Sequence, residues 1–282
     1  MTSTKIGNKP ISTLLMRMGS KKMISDKILP LFPKHKVFVD MFFGAGGLFF
    51  KKPKATFNIC NDLNNEIYNL FTLLKNEDTK DELKEFIKIM PFHQSLLEEY
   101  KNIDVSKLSN IEKAARFLFL SNYTFMAGGT TMRYGLHNNQ KTLLGRIEPV
   151  FKYIQDVQFM CCDFRKVLKN IALQDVVKAR QKIFVYADPP YLDTSHKTYN
   201  NDECWQQKDV EDLFDVLIDS GYKFAISEFD NDIVLDLARK KELHINEIGE
   251  RRNLMNRRNE ILITNYDVNK VKHKMALLIK YP

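Results

Sequence analysis

The segment YADPPYLDT, residues 186–194, places an acid, two prolines and an aromatic directly behind a short apolar run. A proline pair fixes φ twice and removes two N–H donors, so nearby carbonyls stay rigid and can accept hydrogen bonds from a ligand. Asp188 and the carbonyl of Pro189 then present two acceptors, which match the two N–H donors of an exocyclic amine. Tyr191 adds a flat face on which a flipped-out base can stack. A rigid turn with a capping aspartate explains only the prolines, so we predict catalytic roles for Asp188, Pro189, Pro190 and Tyr191.

A second candidate ligand site follows an earlier apolar run. KVFVDMFF, residues 36–43, ends in GAGG, residues 44–47, and glycines let the backbone approach a ligand closely. Phe49 occupies the third glycine position of GxGxxG, which disfavours a nicotinamide-dependent dehydrogenase. Asp62 ends the next strand-like run, where it can accept hydrogen bonds from both hydroxyls of a ribose. The combination favours a nucleoside without a pyrophosphate, although each residue alone also fits a tight turn or a helix cap.

These residues must be positioned by a sheet, and the apolar pattern predicts one. Apolar runs predict strands within residues 36–43, 57–62, 157–161, 182–187, 222–227 and 260–266. Apolar residues three and four apart predict helices at 67–74, 83–90, 111–118, 210–217 and 233–238. Open parallel sheets bind ligands at the carboxyl ends of their strands, where both candidate sites fall. The sequence therefore predicts an α/β fold.

Helix and loop signals divide the chain. The expected helix boundaries are a capping box of Ser109 and Glu112, a stop at Gly221 and a cap at Asp230. Residues 121–146 interleave Gly, Asn and Thr with aromatics and cations, which predicts a loop or hairpin. We expect one catalytic domain built from residues 1–74 and 151–282, interrupted by a mainly helical insertion at 75–150.

Basic residues are concentrated in two parts of the chain, whose net charge is +8. Residues 1–36 hold eight Lys or Arg against Asp26 alone, and residues 113–153 hold six against Glu148 alone. Each Lys or Arg that neutralises a phosphate releases counterions, so a polyanion is a natural partner. A solvated basic surface is the alternative.

Cysteine spacing and hydropathy limit the classes of protein to which the chain can belong. The four cysteines show no CxxC spacing, so we expect reduced thiols, no disulfide framework and no metal site. No apolar run approaches the roughly 18 residues of a membrane helix. The N-terminus lacks the apolar stretch of a signal peptide. We therefore expect a cytoplasmic protein without a membrane partner.

The DPPY motif at 188–191 and FVDMFFGAGG at 38–47 resemble motifs of the Dam-like family of DNA adenine N6-methyltransferases. The order is similar too, with a cofactor motif, a long insertion and then the catalytic motif. The resemblance leaves out only residues 75–115 and 125–150. It implies a Rossmann-like S-adenosylmethionine-dependent methyltransferase sheet with a mainly helical DNA-recognition insertion. It also implies methyl transfer to N6 of a flipped-out adenine in duplex DNA.

The same resemblance assigns residues to the cofactor. MGSKK, residues 18–22, is similar to an N-terminal cofactor motif and matches its lysine at Lys21. NICNDLNNEIYNLF matches the ribose-binding acid at Asp62, and CCDFRKV matches the acid that contacts the cofactor adenine at Asp163. The full set implied for S-adenosyl-L-methionine is Arg17, Lys21, Asp40, Phe42, Gly44, Gly46, Asp62, Asp163, Phe164 and Asp188.

Two departures from the family pattern affect recognition. Arg17 stands where the family usually has an aromatic, and Tyr123 stands at an arginine position of the insertion, so the target sequence cannot be carried over. We expect Arg or Asn to contact base edges and Lys to contact phosphates, with an ordinary surface residue as the alternative for each. The candidates for DNA contact are Arg116, Asn122, Arg133, Tyr134 and Lys141. The polar segment 192–201 is expected to contact the flipped-out base, and 251–258 is expected either to add phosphate contacts or to form a solvated loop before the last strand.

Several functions share this chemistry. Among the family motifs DPPY favours adenine, whereas SPPY-type motifs more often accompany cytosine and NPPY accompanies protein glutamine. The alternatives are a cytosine-N4 or RNA amino-methyltransferase and a catalytically idle DNA-binding protein of the same fold. The expected partners are double-stranded DNA and a cognate restriction endonuclease, and we expect a monomeric bacterial or phage-encoded protein.

Overall fold

The computed structural model describes residues 11–17, 19–134, 140–171, 182–192, 205–252 and 257–272. The chain forms two compact units. The helical unit comprises residues 1–22, 45–53 and 72–155, and the sheet unit comprises residues 23–44, 54–71 and 156–282. The division of labour between a catalytic domain and a DNA-recognition insertion stays a prediction.

The sheet unit is built on one sheet with seven described strands. The strands are β1 (Val37–Asp40), β2 (Phe57–Asn61), β3 (Val157–Met160), β4 (Ile183–Ala187), β5 (Lys223–Phe229), β6 (His244–Arg252) and β7 (Arg257–Thr264). Their order across the sheet is β3-β2-β1-β4-β5-β7-β6. The first five strands pair in parallel, and β7 pairs antiparallel with both β5 and β6.

Some helices alternate with the strands of the sheet unit, and others form most of the helical unit. In chain order they are α1 (Ser25–Ile28), α2 (Asn65–Lys75), α3 (Glu77–Ile89), α4 (Gln94–Asn102), α5 (Asn110–Tyr123), α6 (Gln140–Ile154), α7 (Phe164–Val167), α8 (Gln207–Asp219) and α9 (Asp232–Lys240). Short 3-10 helices lie at Lys21–Met23, Leu29–Leu31, Phe49–Lys51, Val105–Lys107 and Phe125–Ala127. Helices α3 to α6 belong to the helical unit.

The core of the sheet unit explains why the central strands are so apolar. Every residue of β1 and β4 is buried, as is typical of parallel strands covered on both faces. Helix α8 contributes a buried stripe with the spacing i, i+3, i+4 and i+7, which consists of Val210, Leu213, Phe214 and Leu217. These side chains belong to one hydrophobic cluster with residues of β1, β4 and β5. Because β1 to β5 pair in parallel, their carboxyl ends meet at one edge of the sheet.

The structure confirms the α/β class and every predicted strand and helix, with three corrections. Strand β6 was not predicted, because HINEIGERR does not form an apolar run. Residues 140–146 begin helix α6 and residues 121–123 end helix α5, so the predicted loop is shorter than 121–146. The side chain of Asn231, not Asp230, caps helix α9 by accepting from the N–H of Ile233. The capping box of Ser109 and Glu112 is confirmed.

Candidate active site

The predicted site residues of the sheet unit lie together at the carboxyl ends of neighbouring strands. Strand β1 lies between β2 and β4, and β3 lies beyond β2. The chain therefore changes direction across the sheet between β1 and β4, which is the ligand-binding position of open parallel sheets. The residues at or just beyond these strand ends are Asp40, Phe42, Gly44, Asp62, Asp163, Phe164, Asp188, Pro189, Pro190 and Tyr191.

Asp62 is held by two backbone donors. The N–H of Gly44 donates to its Oδ2 over 2.7 Å, and the N–H of Asn64 donates to its Oδ1 over 2.9 Å. Gly44 has φ +55°, a conformation that disfavours side chains other than hydrogen. The carboxylate is partly exposed, and each of its oxygens keeps a further lone pair. Asp62 can therefore accept from ligand hydroxyls in a fixed orientation.

Asn61 links three segments of this edge, and the sequence analysis missed it. Its Nδ2 donates to the carbonyls of Met41 and Cys162 at 3.1 and 3.0 Å, and its Oδ1 accepts from the N–H of Cys162 at 3.1 Å. The side chain is buried. Asn61 thus joins the ends of β1, β2 and β3. The available sequence signal was an amide at the end of an apolar run, directly before Asp62.

Arg165 holds Asp163 in place. The Asp163 carboxylate accepts from the backbone N–H of Arg165 at 2.8 Å and from its Nη1 at 3.1 Å. The same guanidinium donates from Nε to Asp212 at 2.7 Å and from Nη2 to Asp209 at 2.5 Å. These carboxylates raise the pKa of Arg165 although partial burial opposes the shift. Asp163 is the acid predicted to face the cofactor adenine. It is therefore held in place by Arg165, which is itself anchored to two carboxylates of α8.

Three aromatic side chains pack beside these acids. Phe42 and Phe164 have ring centroids 5.7 Å apart, and Trp205 lies 5.7 Å from Phe42 and 5.4 Å from Phe164. The indole Nε1 of Trp205 is buried and has no hydrogen-bond partner among the described residues. Trp205 is the only tryptophan of the chain, and that was the signal the sequence analysis did not use.

The DPPY motif follows β4 directly. Asp188 is half-buried, Pro189 is buried, and the Tyr191 side chain is 7% exposed. The Tyr191 hydroxyl donates to Oε1 of Glu260 at 2.5 Å, and its ring lies nearly perpendicular to that of Phe229, with centroids 4.5 Å apart. Burial raises the pKa of Tyr191 well above its ordinary value, and the nearby carboxylates add to the shift. The phenol therefore stays protonated and keeps donating.

Other predicted cofactor residues belong to the helical unit. Arg17 is half-buried, Lys21 is buried, and Gly46 is buried with φ +68°. Gly47 leaves room for Ser20, because a Cβ at Gly47 would overlap its Oγ. The glycine turn and the N-terminal motif are thus packed together. Their contact with a cofactor stays a prediction.

The candidates for DNA contact fall into two groups. Arg116 donates from Nε to the carbonyl of Tyr100 at 2.9 Å. Asn122, 1% exposed, donates to the carbonyls of Leu14 and Leu118 at 2.8 and 3.0 Å. Arg133, Tyr134 and Lys141 are exposed instead. DNA contact stays a prediction for all five, and Asn122 has a structural role in this structure.

A short hairpin carries the exposed candidates Arg133 and Tyr134. Thr124 and Met132 form its bridge, and two backbone bonds extend it. At its tip Phe125 is 57% exposed, and Met126 is also exposed with a left-handed φ of 54°. The sequence analysis did not single out Phe125 and Met126, because exposure of an apolar side chain cannot be read from its type.

Tyr123 occupies the family's arginine position and is fully buried. Burial raises its pKa to about 12. Its hydroxyl has no hydrogen-bond partner in the described part of the chain.

Most of the polar segments 192–201 and 251–258 lies outside the described residues. Within the described ranges, no group of three or more His, Cys, Asp or Glu side chains is arranged to hold a metal ion. None of the described helices is long and apolar enough to span a membrane.

Known proteins resemble this chain in sequence over most of its length. The family model described as D12 class N6 adenine-specific DNA methyltransferase matches residues 18–254. The type II methyltransferase M1.LlaDCHI of Lactococcus lactis subsp. cremoris is 25% identical over 279 residues, covering 88% of this chain and 93% of that protein. The modification methylase StsI of Streptococcus sanguinis is 25% identical over 304 residues, covering 95% of this chain but only 44% of that longer protein.

Solved structures resemble the chain more distantly. Trm5b from Pyrococcus abyssi is 12% identical with a TM-score of 0.36, covering 89% of this chain and 49% of that one. An rRNA methylase from Streptococcus thermophilus is 9% identical with a TM-score of 0.37, covering 87% and 95%. Similarity at this level carries no argument about function. The family match, in contrast, spans the glycine turn, Asp62, Asp163 and the DPPY motif. The chain therefore belongs to the D12 class of N6 adenine-specific DNA methyltransferases.

Proposed function

We propose that this methyltransferase uses S-adenosyl-L-methionine to methylate N6 of an adenine flipped out of duplex DNA. The observation that carries the proposal is the adjacency of β1 and β4, with Asp40 and Tyr186 in register. The turn at Gly44 and the DPPY motif therefore follow neighbouring strand ends. A cofactor site and an amine site at one sheet edge are what direct methyl transfer requires.

The side chains of the sheet unit fit the nucleoside part of the cofactor. Asp62 is oriented to accept from ribose hydroxyls, and Asp163 offers a carboxylate to an adenine amine. Phe42 and Phe164 supply aromatic surface, and Trp205 supplies a buried indole N–H. The cofactor contributes an electrophilic methyl group on a sulfonium sulfur.

Asp188 and Pro189 act on the amine. Adenine N6 is conjugated with its ring and is a weak nucleophile. Hydrogen bonds donated by its two N–H groups to the Asp188 carboxylate and the Pro189 carbonyl would favour a pyramidal nitrogen with a directed lone pair. Correct placement of two reactants is worth about 7–11 kcal/mol when the geometry is good. After the C–N bond forms, Asp188 or water takes the proton that the nitrogen releases.

The helical unit supplies groups suited to a duplex. Arg133 and Lys141 are exposed cations, and Tyr134 is 75% exposed. Phe125 and Met126 are exposed apolar side chains, the type that enters between base steps and offsets the cost of unstacking. Extrusion of a base costs a few kcal/mol, which such contacts and Tyr191 stacking can offset.

A cognate restriction endonuclease is the proposed biological partner. The relatives in Lactococcus lactis and Streptococcus sanguinis are named a type II methyltransferase and a modification methylase, which is the wording used for enzymes that protect DNA from a paired nuclease.

The decisive experiment measures methyl transfer from labelled S-adenosylmethionine to unmethylated genomic DNA, with product nucleosides separated. Asp188→Ala removes the amine acceptor, and Asp219→Ala removes an exposed carboxylate at the end of α8 as the matched control. We expect N6-methyladenine from the intact protein and from Asp219→Ala, and none from Asp188→Ala. N4-methylcytosine would contradict the adenine assignment. If the protein binds the cofactor but transfers no label to DNA, the assignment of DNA as the substrate would be contradicted. If the protein does not bind the cofactor, the whole proposal would be contradicted.

A further inference from the structure

Tyr191 is held from two neighbouring strands at once. Its hydroxyl donates to Glu260 of β7 at 2.5 Å, and its ring contacts Phe229 of β5 with centroids 4.5 Å apart. Phe229 and Glu260 are direct partners in the antiparallel register of β5 and β7. The two contacts therefore come from one cross-strand pair, which acts as a single rigid support.

We propose that Glu260 is a positioning residue, which orients the Tyr191 ring for the extruded base without touching the base itself. The inference rests on the proposed function, since it concerns the same site. Neither the DPPY motif nor the glycine turn contains Glu260, which lies about 70 positions after Tyr191 in the sequence.

Glu260 is a buried carboxylate in an otherwise apolar stretch of β7. Glu260 is 0% exposed, and the residues that follow it in β7, Ile261, Leu262 and Ile263, are all buried and apolar. A buried carboxylate is costly unless hydrogen bonds satisfy it. An apolar residue would pack between these strands at lower cost. The Tyr191 hydroxyl is the partner that connects this carboxylate to the site.

The protonation of Tyr191 suits this role. Burial raises the pKa of Tyr191 well above its ordinary value, and the carboxylates of Asp188, Glu260 and Glu228 raise it further. The phenol therefore remains protonated and keeps its O–H donor for Glu260.

The geometry explains why orientation matters. Asp188 and Tyr191 are three residues apart, and Pro189 and Pro190 limit the backbone between them. The tyrosine side chain still has two rotatable bonds, which the prolines do not restrict. The contact with Phe229 limits one tilt of the ring, and the bond to Glu260 fixes the position of its far end. Productive geometry must be held to about 0.5 Å and 10–20°.

The test combines four variants. Tyr191→Phe keeps the ring but removes the hydroxyl, and Glu260→Leu removes the acceptor. Glu260→Gln keeps an acceptor oxygen, and Tyr191→Phe/Glu260→Leu replaces both polar partners with apolar groups. The measurements are the single-turnover rate of methyl transfer to DNA, the KM for DNA, the Kd for S-adenosylmethionine and the melting temperature.

We expect Tyr191→Phe and Glu260→Leu each to slow single-turnover transfer by about tenfold to hundredfold, because small misplacements have effects of that size. Glu260→Gln should restore the rate to within about twofold of the intact protein, which is the usual error of additivity. The double variant should be no slower than the slower single variant, since both changes remove the same interaction. The Kd for the cofactor should not change.

The double variant separates positioning from stability. Tyr191→Phe leaves a buried carboxylate without this donor and should lower the melting temperature. Replacement of both partners by apolar groups should recover the melting temperature while the rate stays low. A rate that recovers together with the melting temperature would show that Glu260 serves stability only and would overturn the inference. Full activity of Tyr191→Phe would overturn it as well.

A matched control comes from β4, the strand that precedes the DPPY motif. The Tyr186 hydroxyl is buried and shares a hydrogen bond of 2.8 Å with Ser227 Oγ. Tyr186→Phe should lower the melting temperature but leave the rate within about twofold. If the intact protein transfers no methyl to DNA, the proposed function fails and the inference fails with it. If the intact protein is active and the Tyr191 and Glu260 variants match it, only the inference fails.

Discussion

The backbone N–H of Gly44 donates a hydrogen bond to Oδ2 of Asp62 over 2.7 Å. This bond joins the turn after β1 to the end of β2, two segments that are 18 residues apart in the chain. Asn64 donates to the other oxygen, so both oxygens of the carboxylate face backbone donors. The glycine turn and Asp62 are therefore one structural feature, and a change to either should affect both.

Asp62→Asn should weaken binding of S-adenosylmethionine by about tenfold to hundredfold, the effect of losing a hydrogen bond to a charged group. The asparagine side chain has one oxygen and one NH₂ group in place of the two carboxylate oxygens. Its NH₂ group would therefore face the N–H donor of either Gly44 or Asn64, and that hydrogen bond would be lost. Isothermal titration calorimetry measures the Kd. Asp219→Asn makes the same chemical change at an exposed position of α8 and should leave the Kd unchanged. Equal Kd values for all three proteins would rule out a ribose-binding role for Asp62.

Gly44→Ala and Gly145→Ala should change stability in opposite directions. Open space surrounds the Cβ position of both glycines, but only Gly44 has a left-handed φ, +55°. Alanine there should cost about 1–2 kcal/mol of unfolding free energy. Gly145 lies within α6, where alanine should stabilise the helix by about 0.5–1 kcal/mol. Urea unfolding measures both, and stabilisation by Gly44→Ala would contradict the strain argument.

Asn61→Leu should lower the free energy of unfolding by about 2–4 kcal/mol, because it leaves a buried carbonyl, a part-buried carbonyl and one N–H without this partner. It should also raise the Kd for the cofactor, since the ends of β1 and β3 are no longer joined to β2. Asn58 is the matched control, because it is also buried in β2 and its side chain bonds with Ala55, three residues earlier in the chain. Asn58→Leu should destabilise the protein and leave the Kd unchanged. Equal Kd changes in the two variants would mean that general destabilisation is responsible.

The stability contributed by Asp212 should depend on pH. Its hydrogen bond with Lys208, and then that with Arg165, lowers the pKa of Asp212 below the ordinary value of 3.8. A lowered pKa in the folded state gives stability that is present above pH 3.8 and is lost as pH falls through the folded pKa.

Asp212→Asn should therefore cost about 1 kcal/mol at pH 7, a modest value because the pair is partly exposed. Urea unfolding of the variant and the intact protein at pH 7 and pH 3 measures the difference. The difference should shrink at pH 3. A difference that is the same at both pH values would show that the charge of Asp212 is not the cause. Asp219→Asn is the control, and its free energy of unfolding should equal that of the intact protein at both pH values.

Arg133→Gln and Lys141→Gln should each weaken DNA binding and lower the slope of log K against log salt by about one per lost phosphate contact. Both side chains are exposed on the helical unit. Loss of sequence discrimination in Arg133→Gln alone would indicate a base contact for that residue. Lys223→Gln removes an exposed cation from β5 and should leave the salt slope unchanged. Unchanged slopes for Arg133→Gln and Lys141→Gln would place the DNA-contacting surface elsewhere.

Local patterns were enough to predict the architecture and the main motifs. The strands β1 and β4 are uninterrupted apolar runs, and the motifs begin where these runs end. A buried parallel strand and its terminal turn are properties of consecutive residues, so both appear in the sequence. β6 was missed because HINEIGERR does not form an apolar run, although it pairs with β7, the next strand along the chain.

By itself, therefore, the sequence determined the α/β class, the glycine turn, Asp62 and the DPPY motif, because each depends on residues that are close in the chain. The tertiary structure decided that Asn122 is buried against Leu14 while Arg133 is exposed. It also decided that Asn61 joins three strand ends and that Glu260 supports Tyr191. These roles depend on register and burial across segments up to 108 residues apart, and hydrophobic periodicity contains no information on such pairings.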